Sequence, residues 1–130
     1  MVSLKVIFLV LIFHWVLDFI FQTDKQAKGK SKNFKDLLSH TAAYSVEWLI
    51  PACFVFHCIN RDLNYVLLAP IFAVITFVFH TITDYFTSRL NSKLWRAGKA
   101  HEFFISVGFD QLLHYFQLFL TFYFLSGGRL

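Results

Sequence analysis

Apolar residues gather into four stretches, residues 2–22, 37–58, 65–89 and 105–125. Each approaches the roughly 20 residues that a helix needs to cross a bilayer. Polar residues inside them recur every third or fourth position. The first carries His14, Asp18 and Gln22, and the second His40, Tyr44 and Glu47. The third carries His80, Asp84 and Ser88, and the fourth Ser106, Asp110, His114, Gln117 and Thr121. That spacing puts one polar stripe on one face of each helix. Lipid cannot hydrogen-bond such a stripe, so the stripes must face one another. The pattern predicts an all-α integral membrane protein: a four-transmembrane-helix bundle forming a single domain over residues 1–130.

Composition strengthens this reading. The 130 residues include 18 Phe and are 57% hydrophobic but only 15% charged, more apolar surface than a soluble domain of this size can bury. The first stretch does not read as a cleaved signal. Its N-terminal region holds only Lys5, no small-x-small site comes after it, and His14 and Asp18 interrupt it. Cys53 and Cys58 share the second stretch on different helix faces and read as packing residues, with no disulfide or metal implied.

Charge sets the expected orientation. Lys25, Lys28, Lys30, Lys32 and Lys35 lie between the first two stretches. Arg89, Lys93, Arg96 and Lys99 lie at or within the link between the last two, so nine of twelve basic residues flank one side. The positive-inside rule then places both long loops in the cytoplasm and both termini outside. The bundle becomes two helical hairpins of like orientation. These basic residues suit anionic lipid headgroups, and no nucleic-acid partner is expected.

Phe-His-x-x-x-Asp-aromatic occurs twice, as Phe13-His14…Asp18-Phe19 and Phe79-His80…Asp84-Tyr85, and the reversed spacing occurs once, as Asp110…His114. His and Asp four apart share a face with their β-carbons about 5–6 Å apart. With that topology, His14, Asp18, His40, His80, Asp84, Asp110 and His114 all fall at one depth near the cytoplasmic interface. Four imidazoles and three carboxylates suit a divalent cation, zinc first and manganese or iron next, as one ion or two. A cation also offsets the several kcal/mol that each buried carboxylate would otherwise cost. Asp110 and Glu47 are the candidate general bases. Arg89, Gln22, Ser88 and His101 are the candidate substrate contacts, with Arg89 foremost because its planar fork suits an anion.

The run His14…Asp18-Phe19…Gln22-Thr23-Asp24…Lys30-Ser31-Lys32, Leu38…His40, Phe79-His80…Thr83-Asp84…Thr87-Ser88-Arg89…Asn91 and Phe109-Asp110-Gln111…His114 resembles a family of small bacterial and phage membrane proteins, domain of unknown function thirty-three-oh-seven. The resemblance implies a multi-pass protein of a bacterial inner membrane, the host's if phage-encoded, and implies no activity. More loosely, the paired His and Asp residues are similar to those of predicted membrane-bound metal-dependent hydrolases, an analogy only.

The expected function is a metal-dependent hydrolase acting on a lipid-borne ester or phosphoester, an anionic substrate, at the cytoplasmic leaflet. The alternatives are proton or divalent-cation transport, haem held between facing histidines, and a non-catalytic, metal-stabilised membrane partner protein. Membrane lipids are the expected surroundings, with a homo-oligomer as a further expectation.

Overall fold

In the computed structural model, which describes residues 3–130, every regular element is helical. The first predicted stretch begins at residue 2, outside the described residues. From Leu4 the chain forms α1 (Leu4–Trp15) and continues through a π turn over Val16–Ile20. A short helix α2 (Asp24–Gly29) comes next, then α3 (Phe34–Glu47), α4 (Leu49–Ile59), α5 (Tyr65–Arg96) and α6 (Ala100–Leu125). The segment 23–36, expected as a loop, is ordered by its caps. Thr23 accepts from Gln26 N, and the Gln26 side chain returns to Thr23 N, a capping box that starts α2. Asn33 caps α3 by accepting from Asp36 N at 2.7 Å.

Residues 37–58 are one stretch in the sequence but two helices in the fold. Pro51 has no N–H to give to the carbonyl of Glu47, and its ring crowds that carbonyl. The chain bends by 42° between α3 and α4 at that point. In contrast, α5 runs past residue 89 to Arg96, and α6 starts at Ala100. The link between them is therefore only a few residues, reversed at Gly98, whose φ of +69° is the left-handed region that glycine adopts freely.

α5 and α6 are each long and apolar enough to cross a membrane, and α3 with α4 passes as one bent pair. α1 and its π turn span 12 and 5 residues, about 25 Å at 1.5 Å per residue, short of the ~30 Å hydrocarbon core.

The molecule is apolar outside and layered inside. Of its 18 Phe, only Phe56, Phe72 and Phe122 are buried, while Phe8, Phe79, Phe86, Phe109 and Phe116 face outward. At the end near the termini, Trp48, Phe56, Phe72, Phe122 and Leu118 close a solvent-free core. Phe72 and Phe122 lie 4.2 Å apart between ring centroids, and Phe56 and Phe122 4.9 Å. In lipid such helices gain little by leaving the solvent, so contacts of this kind, about 0.5–1.5 kcal/mol per aromatic pair, carry the packing. At the opposite end the interior is polar.

Candidate metal centre

Asp18 reaches the interior through the π turn. One extra residue in a helical turn rotates every later side chain about the axis, and both Leu17 and Asp18 are buried there. His14, one turn earlier on α1, is fully buried. α3 brings His40, α5 brings His80 and Asp84, and α6 brings His114. These six side chains are 4% exposed or less and meet in one layer.

Around His40 Nε2 stand Asp18 Oδ1 at 3.1 Å, His80 Nε2 at 3.2 Å and Asp84 Oδ2 at 3.3 Å. His80 Nε2 is 3.5 Å from Asp18 Oδ1 and 3.7 Å from Asp84 Oδ2. His40 Nε2, His80 Nε2 and Asp18 Oδ1 thus form one buried triad of donor atoms 3.1–3.5 Å apart, with Asp84 Oδ2 beside the two rings. Ligands 2.0–2.1 Å from a tetrahedral zinc stand ~3.3 Å apart. One imidazole N–H serves one acceptor, so His40 Nε2 cannot donate to both Asp18 Oδ1 and Asp84 Oδ2. Asp18 Oδ1 and His80 Nδ1 are buried without a hydrogen-bond partner. A cation at the centre satisfies the set together, and the residues fit a metal.

The other half of the layer is a looser copy related by the repeat. His14 Nε2 lies 3.8 Å from Asp18 Oδ2, as His80 lies 3.7 Å from Asp84. His114 Nε2 lies 3.4 Å from Asp84 Oδ1, as His40 lies 3.1 Å from Asp18. His80, Asp84 and His114 form a second buried grouping able to hold an ion. His114 Nδ1 donates to the Asp110 carbonyl at 2.8 Å, which leaves Nε2 as the lone pair, buried and without a hydrogen-bond partner. His14 is held by Tyr44, whose hydroxyl is 2.6 Å from Nδ1, while Gln111 Oε1 is 2.9 Å from Nε2.

The remaining candidates fall at different distances from this layer. Asp110 backs His114 from outside both donor triads: its carboxylate accepts from Thr87 Oγ1 at 2.5 Å and Gln111 Nε2 at 3.1 Å. The Gln22 amide nitrogen lies 2.9 Å from His40 Nδ1 and 3.1 Å from His40 Nε2, a neutral group against the ring. Ser88 is buried one turn beyond Asp84, its hydroxyl without a partner. Glu47 is half-buried at the α3–α4 bend and makes no ion pair among the described residues. His101 is exposed at the start of α6. Arg89 turns away: Nη1 donates to the Tyr85 carbonyl at 2.7 Å, and the guanidinium stacks 3.8 Å over the Tyr85 ring. A one-residue step past Ser88 rotates a side chain about 100° around the helix, which takes Arg89 off the inward face.

The cation that does reach the layer is Lys30. Its Nζ donates to Asp84 Oδ2 at 2.9 Å. Gly29 makes this approach possible, since a β-carbon there would collide with the Asp36 carboxylate. In the sequence Lys30 is one of five lysines in a basic segment. The adjacent Gly, rare in this chain, is the one local sign that sets it apart.

No curated protein and no solved structure matches the chain. A family model described as a protein of unknown function, DUF3307, matches residues 6–128, nearly the whole length, and the chain belongs to that family.

Proposed function

We propose that the protein is a metal-dependent hydrolase of the inner membrane, acting on a lipid-borne ester or phosphoester at the cytoplasmic leaflet. In this reading the chain crosses the bilayer four times, both termini are outside, and the basic segments 23–36 and 91–99 are cytoplasmic. The observation that carries the proposal is the buried donor triad of Asp18, His40 and His80, with Asp84 beside it, at the same end of the bundle as the basic residues.

One divalent cation, zinc by its preference for mixed nitrogen and oxygen donors, occupies the tight set. When bound, such an ion acidifies a water and polarises a phosphoryl or carbonyl oxygen. The looser half supplies the proton acceptor, since Gln111 already faces His14 Nε2. His114 Nε2 takes the proton, with Asp110 holding its ring through the carbonyl. Lys30 presents positive charge to an anionic substrate from the open side. Trp48, Phe72 and Phe122 seal the far side, which supports hydrolysis over transport, because a conducting path would have to pass through that plug.

The test is metal analysis and turnover of the detergent-purified protein, with vesicles of phosphatidic acid and phosphatidylglycerol as substrates, read as released phosphate and fatty acid. The wild type is expected to hold one ion per chain and to turn over at least one of these lipids. His80→Ala is expected to lose both ion and turnover while still inserting in the membrane. Turnover that survives loss of the ion in His80→Ala refutes the proposal.

A further inference from the structure

A cavity of about 640 Å³ opens beside the metal layer, between the α2 end of the basic segment, the last turns of α5 and the first turn of α6. Lys28, Lys30, Lys32 and Arg96 line it, and no carboxylate does. Lys28 is paired with Asp24 at 3.4 Å at the surface, whereas Lys32 and Arg96 make no ion pair among the described residues. Deeper in, Ser88 is only 9% exposed. Its hydroxyl and the Asn91 side-chain oxygen are both buried without a partner. Of these two, the Ser88 hydroxyl is a donor, and an unsatisfied donor at the floor of a cationic cavity is a group waiting for an anion. Trp95, Phe103 and Phe104 form the remaining wall, and Trp95 and Phe104 are largely exposed on the molecule's apolar exterior.

We infer that this cavity is a phosphate-binding site, built for a phosphate group carried on an apolar chain. Lys32 and Arg96 match the charge of a phosphate monoester, about −1.5 to −2 near neutral pH. Arg96 offers the forked donors that bind two phosphate oxygens together. The Ser88 hydroxyl donates to a third oxygen. The aromatic wall gives the apolar chain a way out towards lipid. Lys30 belongs both to this cavity and to the Asp84 ion pair, so a phosphate held here lies next to the metal layer. As the substrate pocket of a phosphoesterase the cavity rests on the proposed function; as a phosphate site it stands independently of turnover.

The experiment is isothermal titration of the full-length protein in detergent with dihexanoyl phosphatidic acid and, separately, with inorganic phosphate. Lys32→Gln and Arg96→Gln are each expected to weaken binding about tenfold, Arg96→Lys less. Lys93→Gln, a neighbouring cation outside the cavity, is expected to bind as wild type. His80→Ala is expected to keep binding while losing turnover, which separates this site from the reaction. Phosphatidic acid bound at least tenfold more tightly than inorganic phosphate supports a lipid headgroup, and equal affinities support the free anion. Wild-type affinity in both Lys32→Gln and Arg96→Gln, or no binding of either probe by the wild type, overturns the inference.

Discussion

Lys30 Nζ donates to Asp84 Oδ2 at 2.9 Å across 54 residues of sequence, with side chains only 19% and 2% exposed. The pair ties the basic segment before α3 to the middle of α5. Asp84 in turn is one corner of the metal set, so the ion pair joins the basic surface to the candidate chemistry. Without Lys30, no lysine or arginine among the described residues would pair with the buried Asp84 carboxylate.

Replacing Lys30 by Met keeps the stem and removes the charge. Breaking one side of a buried pair typically costs about 3–5 kcal/mol, so Lys30→Met is expected to lower the thermal midpoint of the metal-free protein by several degrees. Burial pulls the Lys30 ammonium down, but Asp84 and then Asp18 outweigh it and hold its pKa above the ordinary lysine value. A group raised on folding stabilises fully below its unfolded pKa, about 10.4, and that contribution disappears as pH rises through the higher folded value. The difference in midpoint between wild type and Lys30→Met should therefore be constant from neutral pH to about 9 and shrink above about 10.4. A difference that shrinks on going below pH 9 instead contradicts the assignment.

Tyr44 is the lid of the polar layer. Its ring stacks on His80 at 4.2 Å, and its hydroxyl meets His14 Nδ1 at 2.6 Å. Tyr44→Phe keeps the stack and leaves His14 Nδ1 unsatisfied, at a cost of about 1–3 kcal/mol. Because Tyr44 touches His14 and not the tight set through its hydroxyl, the variant should retain its metal while denaturing earlier. Loss of metal in parallel with stability would move the ion into the His14 half.

Asp18 and Asp110 distinguish a ligand from a support. Asp18 Oδ1 is 3.1 Å from His40 Nε2 and inside the donor triad, whereas Asp110 is taken up by Thr87 and Gln111. Asp18→Asn is expected to lose the metal. Asp110→Asn should keep it and leave turnover close to wild type, because the bond to His114 Nδ1 comes from the Asp110 backbone carbonyl, which the substitution retains. Elemental analysis beside initial rates reads both. Equal metal loss in the two variants would make Asp110 a ligand.

Much of the candidate centre was readable from spacing alone. His14 with Asp18 and His80 with Asp84 had to share a face, and polar faces in apolar helices had to turn inward, so their meeting is a consequence of periodicity and solvent. The resemblance to the family likewise rested on these motifs. The bend at Trp48 was also readable, since Pro51 is present in the sequence, although the apolar run conceals it. Arg89 shows where spacing misleads: it comes directly after Ser88, and one residue of helix turns it onto Tyr85 and off the inward face.

The sequence by itself determined a helical chain with bilayer-grade apolar faces and a His/Asp layer at one end, because helical period and the lack of hydrogen-bonding partners in lipid leave no other arrangement of those residues. Only the tertiary structure decided which carboxylates join the histidines in the donor triads and which one stands behind His114. It also decided which of the basic residues enters the interior. Those outcomes depend on differences of an ångström or two in how helices rotate against one another, on the π turn at Asp18 and on the room left by Gly29. Interactions of that reach depend on contacts between distant segments, and local pattern does not carry them.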